Sequence, residues 1–174
     1  MTFQLNSFIE TPMQVFKIVD NFNRDLFSIK DCKLSYRTLN HYQEIGIITA
    51  KKGSGWRKFS GTELVWIGII VQLREMGISL DKILKIKDFL FSESFAGSVD
   101  RSEVINNSIE QEIAHSVFNN YSLYLIVFSD FKCAFYDSYM IKQWHLKPYK
   151  DEPHLSIPLR TIIKEVEDKI LVAI

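Results

Sequence analysis

The sequence predicts a mainly helical chain that ends in a small α+β part. Three observations carry that reading. Apolar residues recur at helical spacing through most of the chain, serine caps and glycine stops bound those stretches, and a dense aromatic and β-branched segment follows Tyr121. With 174 residues and 47% hydrophobic content the chain can build a core and is no disordered tail. Its longest apolar runs, Leu64 to Val71 and Leu123 to Phe128, fall well short of the roughly 20 residues of a membrane helix. Met1 to Glu10 lacks the basic leader and sustained apolar stretch of a secretory signal. A cytoplasmic protein without membrane contact is therefore expected. Cys32 and Cys133 stand apart from each other and from any Cys/His cluster, so no metal, cofactor or disulfide framework is expected.

The elements follow in order. Thr11-Pro12 reads as a helix start, with Val15, Ile18, Val19 and Phe22 on one face; the helix either runs on toward Phe27 or breaks near Asn21 to Asn23. Ser35 caps a short helix in which Leu39, Tyr42 and Ile45 sit together and Gly46 is the stop, leaving Arg37, Asn40, His41 and Glu44 outward. From Ile48 to Phe59 no helical period survives, and Gly53-Ser54-Gly55 reads as the tip of a two-stranded ribbon. Ser60-Gly61-Thr62-Glu63 has the spacing of a capping box and opens a third helix, with Leu64, Ile67, Ile70, Val71 and Leu73 on its buried face and Gly77 at its end. Ser79 caps a fourth, with Leu80, Ile83, Leu84, Ile86 and Leu90 inward.

The polar stretch 92–100 predicts a boundary. After it, Val104, Ile105, Ile109, Ile113 and Val117 form a narrow apolar seam that needs a partner. "SLYLIVF", the turn "SDFK" and "CAFYDSYMI" predict a β-hairpin, "HLSIPL" a short edge strand, and the chain closes with a helix burying Ile162, Ile163, Val166 and Ile170. The expected division is an extension over 1–23, a domain of short helices and a basic ribbon over 24–91, a linker and helix over 92–120, and a small α+β domain over 121–174.

Charge is unevenly spread. Residues 30–60 hold seven Lys or Arg against two acids, whereas the remaining 143 residues hold fourteen against nineteen. A clustered basic patch on an otherwise acidic chain is the footprint of a phosphate-binding surface; a solvated face is the alternative reading.

Order adds to charge. A short polar-faced helix, "RTLNHYQEIGII", then a basic ribbon with an aromatic, "GWRKF", then a capped helix ending in "LREMGISLDKI", resembles the DNA-binding domain of the MerR family of transcriptional regulators. The resemblance covers roughly Asp25 to Phe91 and implies a winged helix-turn-helix that binds double-stranded DNA. It implies Tyr36 and Arg37 at or near base edges, Tyr42 on a phosphate, and Trp56-Arg57 in the wing. Physical reading adds Thr38, Asn40 and His41 to the groove face, because arginine can pair with guanine and asparagine with adenine. Lys51, Lys52, Arg57 and Lys58 would meet phosphates, with Ser54 a further donor. Tyr42 has a second reading as a core ring beside Leu39 and Ile45, and Trp56 as an anchor of the wing. Trp56 stands where the family usually has tyrosine, and Asn40 and His41 where arginine and tyrosine are common. The first helix of the motif, "DLFSIKDCK", lacks its usual small residue and has Lys33 in place of the turn glycine.

The resemblance further implies a homodimer joined through a helix after the DNA-binding domain, which assigns dimerisation to Val104, Ile105, Ile109, Ile113 and Val117. It also implies RNA polymerase as a partner, engaged when promoter DNA is distorted. The aromatic residues beyond Tyr121 either pack a core or line a site for a small organic effector or a protein partner. No phosphate loop, nucleophile elbow or H-E-x-x-H is present, so no enzyme is expected. A sequence-specific transcriptional regulator is the leading expectation. The alternatives are an excisionase-like DNA-bending factor of a mobile element or plasmid, and a protein-interaction adaptor.

Overall fold

The computed structural model describes residues 12–49, 57–91, 108–143 and 151–173. Among them are seven α-helices and one three-stranded antiparallel sheet. Helix α1 (Pro12–Phe22) ends where the backbone turns back from Arg24 to the Asn21 carbonyl, and the Asn21 side chain accepts from Arg24 Nη1 at 2.9 Å. The break near Asn21 to Asn23 is thus the outcome, and Thr11 lies outside the described residues. The first helix of the motif shrinks to a single 3-10 turn, Ile29–Asp31. α1 does not replace it, for it packs on α3 (Gly61–Glu75), α5 (Ile109–Asn119) and α7 (Arg160–Ala173).

Helix α2 (Tyr36–Glu44) is opened by Ser35, whose Oγ accepts from the Thr38 amide at 3.1 Å. It closes on Gly46 at φ 80°, a left-handed position where a side chain would be strained. The Ile47 amide then returns to the Tyr42 carbonyl. Ser60 and Glu63 form the reciprocal capping box of α3. α3 is buried on nearly every side rather than along one stripe, because it lies at the centre of the core. α4 (Leu80–Leu90) follows Gly77, which also sits at positive φ.

Two expectations are corrected here. Ile109, Ile113 and Val117 are buried inside the chain, where α5 packs on α1, α3 and the sheet. The seam finds its partner internally and is not available as a dimerisation face; Val104 and Ile105 lie outside the described residues. The second correction concerns the hairpin. β1 (Leu123–Phe128) pairs with β2 (Cys133–Asp137) as expected, but Ser138–Lys142 forms a short helix, α6, instead of continuing the strand. Asp137 is the cause, since its carboxylate accepts from the Met140 amide at 2.7 Å and caps that helix.

β3 (His154–Pro158) joins the other side of β1, giving the order β2-β1-β3. One sheet face, including Leu125, Phe135 and Ile157, enters the main core; the other, including Phe128 and Tyr136, is covered by Met140 and Ile141 of α6. Packing therefore accounts for most of the described aromatic residues after Tyr121. The expected boundary at 92–100 lies outside the described residues, yet one apolar cluster runs from Ile18 and Leu39 through α3 to Ile170 without a break. α3 and α7 pack closely at Gly68, where an added Cβ would stand 2.5 Å from Ile162 Cγ2.

Both thiols are packed groups. Burial pushes Cys32 up to about 11 and Cys133 far above the ordinary thiol range. At pH 8 the native protein should react with an aromatic disulfide reagent at Cys32 about a hundredfold more slowly than free cysteine does, because so little thiolate is present. Cys133 should react only on unfolding; rapid labelling of both in the folded protein would contradict this packing. Gly68→Ala should cost about 1–3 kcal/mol in denaturant unfolding, through overpacking against Ile162. Ile162→Ala should recover part of that loss when combined with it.

Candidate nucleic-acid interface

The residues expected to face a groove lie on α2, and the fold exposes most of them by burying the opposite face. Leu39 and Tyr42 enter the core, while Tyr36, Arg37 and His41 are exposed and Thr38 and Asn40 half-exposed. Both ends of the helix are held. Beyond its C-terminus, Trp66 Nε1 donates to the Ile47 carbonyl at 2.9 Å, and Lys87 Nζ donates to the Gly46 carbonyl. These two bonds fasten the end of α2 to α3 and α4. At its N-terminus, Ser35 Oγ and Thr38 Oγ1 lie 2.8 Å apart.

Tyr36, Arg37, Thr38, Asn40, His41 and Tyr42 line one open concavity of about 840 Å³. Two residues outside the expected set join them, Glu44 and Leu80. Glu44 was legible as outward-facing from the helical period, and as a carboxylate it limits how near a phosphate can come on that side. Leu80, expected to point inward, is half-buried and brings the start of α4 to the rim. Tyr42 is 7% exposed, so most of its ring belongs to the core reading.

The return leg of the wing is placed by one bridge. Phe27 and Phe59 exchange two backbone hydrogen bonds of 3.0 and 2.9 Å, and both rings are buried. The described flank Ile47 to Thr49 is not a strand, and Phe59 pairs with Phe27; the tip of the expected ribbon lies outside the described residues. Lys51, Lys52, Ser54 and Trp56 lie outside the described residues. Arg57, just before the bridge, reaches across to α2: its Nη1 donates to Asn40 Oδ1 at 2.6 Å, and its guanidinium carbon lies 5.8 Å from the Tyr36 ring centre. Among the described residues, Arg37, Arg57 and Lys58 form no ion pair. Lys33 is different, for it pairs with Glu165 of α7 at 2.6 Å and so leaves the basic patch.

A shallower apolar groove of about 310 Å³ lies elsewhere, between the α3–α4 turn and the sheet, lined by Ile78, Ile86, Val127, Phe131 and Leu155 among others. No group of three or more metal-ligating side chains occurs among the described residues. No helix there is long and apolar enough to cross a membrane.

A capped polar helix fastened to α3 and α4, beside cations that have no carboxylate partner among the described residues, has the form of a helix-turn-helix module. Residues 29–90 match the family model described as MerR HTH family regulatory protein, which supports a DNA-binding helix-turn-helix over that stretch. Neither the curated proteins nor the solved structures gave a match. Removing the α2 cap with Ser35→Ala should cost about 1 kcal/mol. Hydrogen exchange should report the loss first at the amides of residues 36–38; unchanged protection there would show that the cap is unimportant.

Proposed function

We propose that the chain is a sequence-specific, double-stranded-DNA-binding transcriptional regulator, without enzymatic activity, that reads a palindromic site as a homodimer. The observation that supports this most is the joint placement of Tyr36, Arg37, Thr38, Asn40 and His41 on one open face, with Arg57 and Lys58 beside it and no carboxylate paired to these cations among the described residues. A nine-residue helix reaches few base pairs, so two copies are needed for a site long enough to be selective. Their contact surface must be other than the buried seam of α5. Arg37 takes the role of guanine reader, and Lys51, Lys52 and Lys58 those of phosphate contacts.

RNA polymerase is the partner this reading requires, with promoter distortion as the means. The groove beside Phe131 favours a small organic effector over a protein partner, because it is concave, apolar and touches both the α3–α4 turn and the sheet. A DNA-bending factor of a mobile element would use the same face. Promoter assays dependent on polymerase support regulation, whereas occupancy confined to recombination sites supports bending.

Selection of bound duplexes from a random pool tests the reading directly. A palindrome is expected, with affinity falling steeply as salt rises. Arg37→Ala should relax preference at one base pair by about 1–3 kcal/mol. Lys58→Ala should weaken all duplexes alike and reduce the salt slope by about one. Salt-independent binding of acidic proteins in place of duplex would instead establish an adaptor.

A further inference from the structure

The sequence assigns Arg57 to phosphate, yet its guanidinium lies over the face of α2 that carries the reading residues. Tyr36 and Asn40 are four residues apart on that helix and so share one side. Arg57 spans them, stacked near the Tyr36 ring and donating to the Asn40 oxygen. It is half-buried and has no carboxylate partner among the described residues. Lysine could not make both contacts, because only a planar guanidinium can stack and donate along its edge at once.

The bond to Asn40 has a chemical consequence. A carboxamide rotates readily about its last torsion, so its oxygen and nitrogen exchange places at little cost. A guanidinium has no acceptor, and only the oxygen of Asn40 can receive its proton. Arg57 therefore selects one of the two orientations, leaving Nδ2 and the second lone pair of Oδ1 for a base. Pairing with adenine needs one donor and one acceptor in fixed order. The geometry points to Arg57 as a positioning residue that sets base preference through Asn40, rather than as a phosphate contact. This rests on the DNA-binding reading above.

The two roles separate experimentally. Random-pool selection and salt titration are run on the full chain and on Arg57→Ala, Arg57→Lys, Asn40→Ala and the Arg57→Ala/Asn40→Ala pair. Spectra of the Asn40 side-chain amide are recorded on the protein alone. Arg57→Ala should relax preference about tenfold at the single position that Asn40→Ala also relaxes, with the wild-type salt slope retained. Arg57→Lys should not restore preference, and the double variant should be no worse than Asn40→Ala. The Asn40 amide signals should move in Arg57→Ala without DNA. A salt slope lowered by about one with preference unchanged would make Arg57 an ordinary phosphate contact and overturn the inference alone. Unmoved Asn40 signals would overturn it as well. A wild-type protein that binds no duplex overturns the DNA-binding reading itself, and the inference with it.

Discussion

The close crossing of α3 and α7 at Gly68 is the constraint on which the rest of the molecule depends. α3 is the helix whose buried residues cover nearly its whole circumference, and a glycine lets Ile162 of α7 settle into the space a side chain would occupy. A second close approach, at Gly61 against Phe22, brings α1 onto the start of the same helix. Helices that pack this tightly exclude water from both sides of α3, and a core of that density transmits displacement instead of absorbing it. The half that carries α2 and the half that carries the sheet are consequently joined through shared apolar packing.

That packing reaches the reading helix through polar ties placed at its margins. α7 presents Glu165 to Lys33 and Lys169 to the Asp31 carbonyl, which holds the single 3-10 turn where the motif would ordinarily have a helix. The exposed ion pair by itself adds little stability. Its effect is directional, because it acts with the Lys169 bond on a turn too short to hold its own course. At the other end of α2, Trp66 and Lys87 donate to the two carbonyls left over by the glycine stop. A helix tied at both ends presents its outer face with little freedom left to lose, and preorganisation of that kind lowers the entropic cost of binding.

Most element starts were legible because their chemistry is local. Ser35, the Ser60–Glu63 pair and the glycines at 46 and 77 each satisfy backbone groups within a few residues, and no distant contact can override them. Asp137 shows the opposite case. Aromatic density after Cys133 pointed to a strand through Ile141, but one carboxylate capping one amide ended it sooner. The seam on α5 was correctly read as needing a partner. Its location was not legible, since periodicity gives a face its direction without saying whether the covering surface belongs to the same chain. The exposed face of α2 followed from its helical period, whereas the reach of Arg57 to Asn40, 17 residues earlier, is a tertiary contact that no spacing rule encodes. Lys33 likewise counted toward the basic patch until α7 supplied its counterion.

The electrostatic consequence follows from where each cation is engaged. The chain has no net charge, so long-range attraction to a polyanion depends on local clustering alone. With Lys33 paired to Glu165 and Arg57 laid against Asn40, the described part of the face keeps Arg37 and Lys58 as outward cations, set against Glu44 on the same helix. On the proposed DNA-binding reading, a cation already engaged by a neighbour contributes less to counterion release than a free one. On the same reading, discrimination between bases rests on the neutral groups Thr38, Asn40 and His41, whose value would depend on angle and distance far more than a charge does. Orientation is then the quantity to protect, and a helix held at both ends with an arginine across its face protects it.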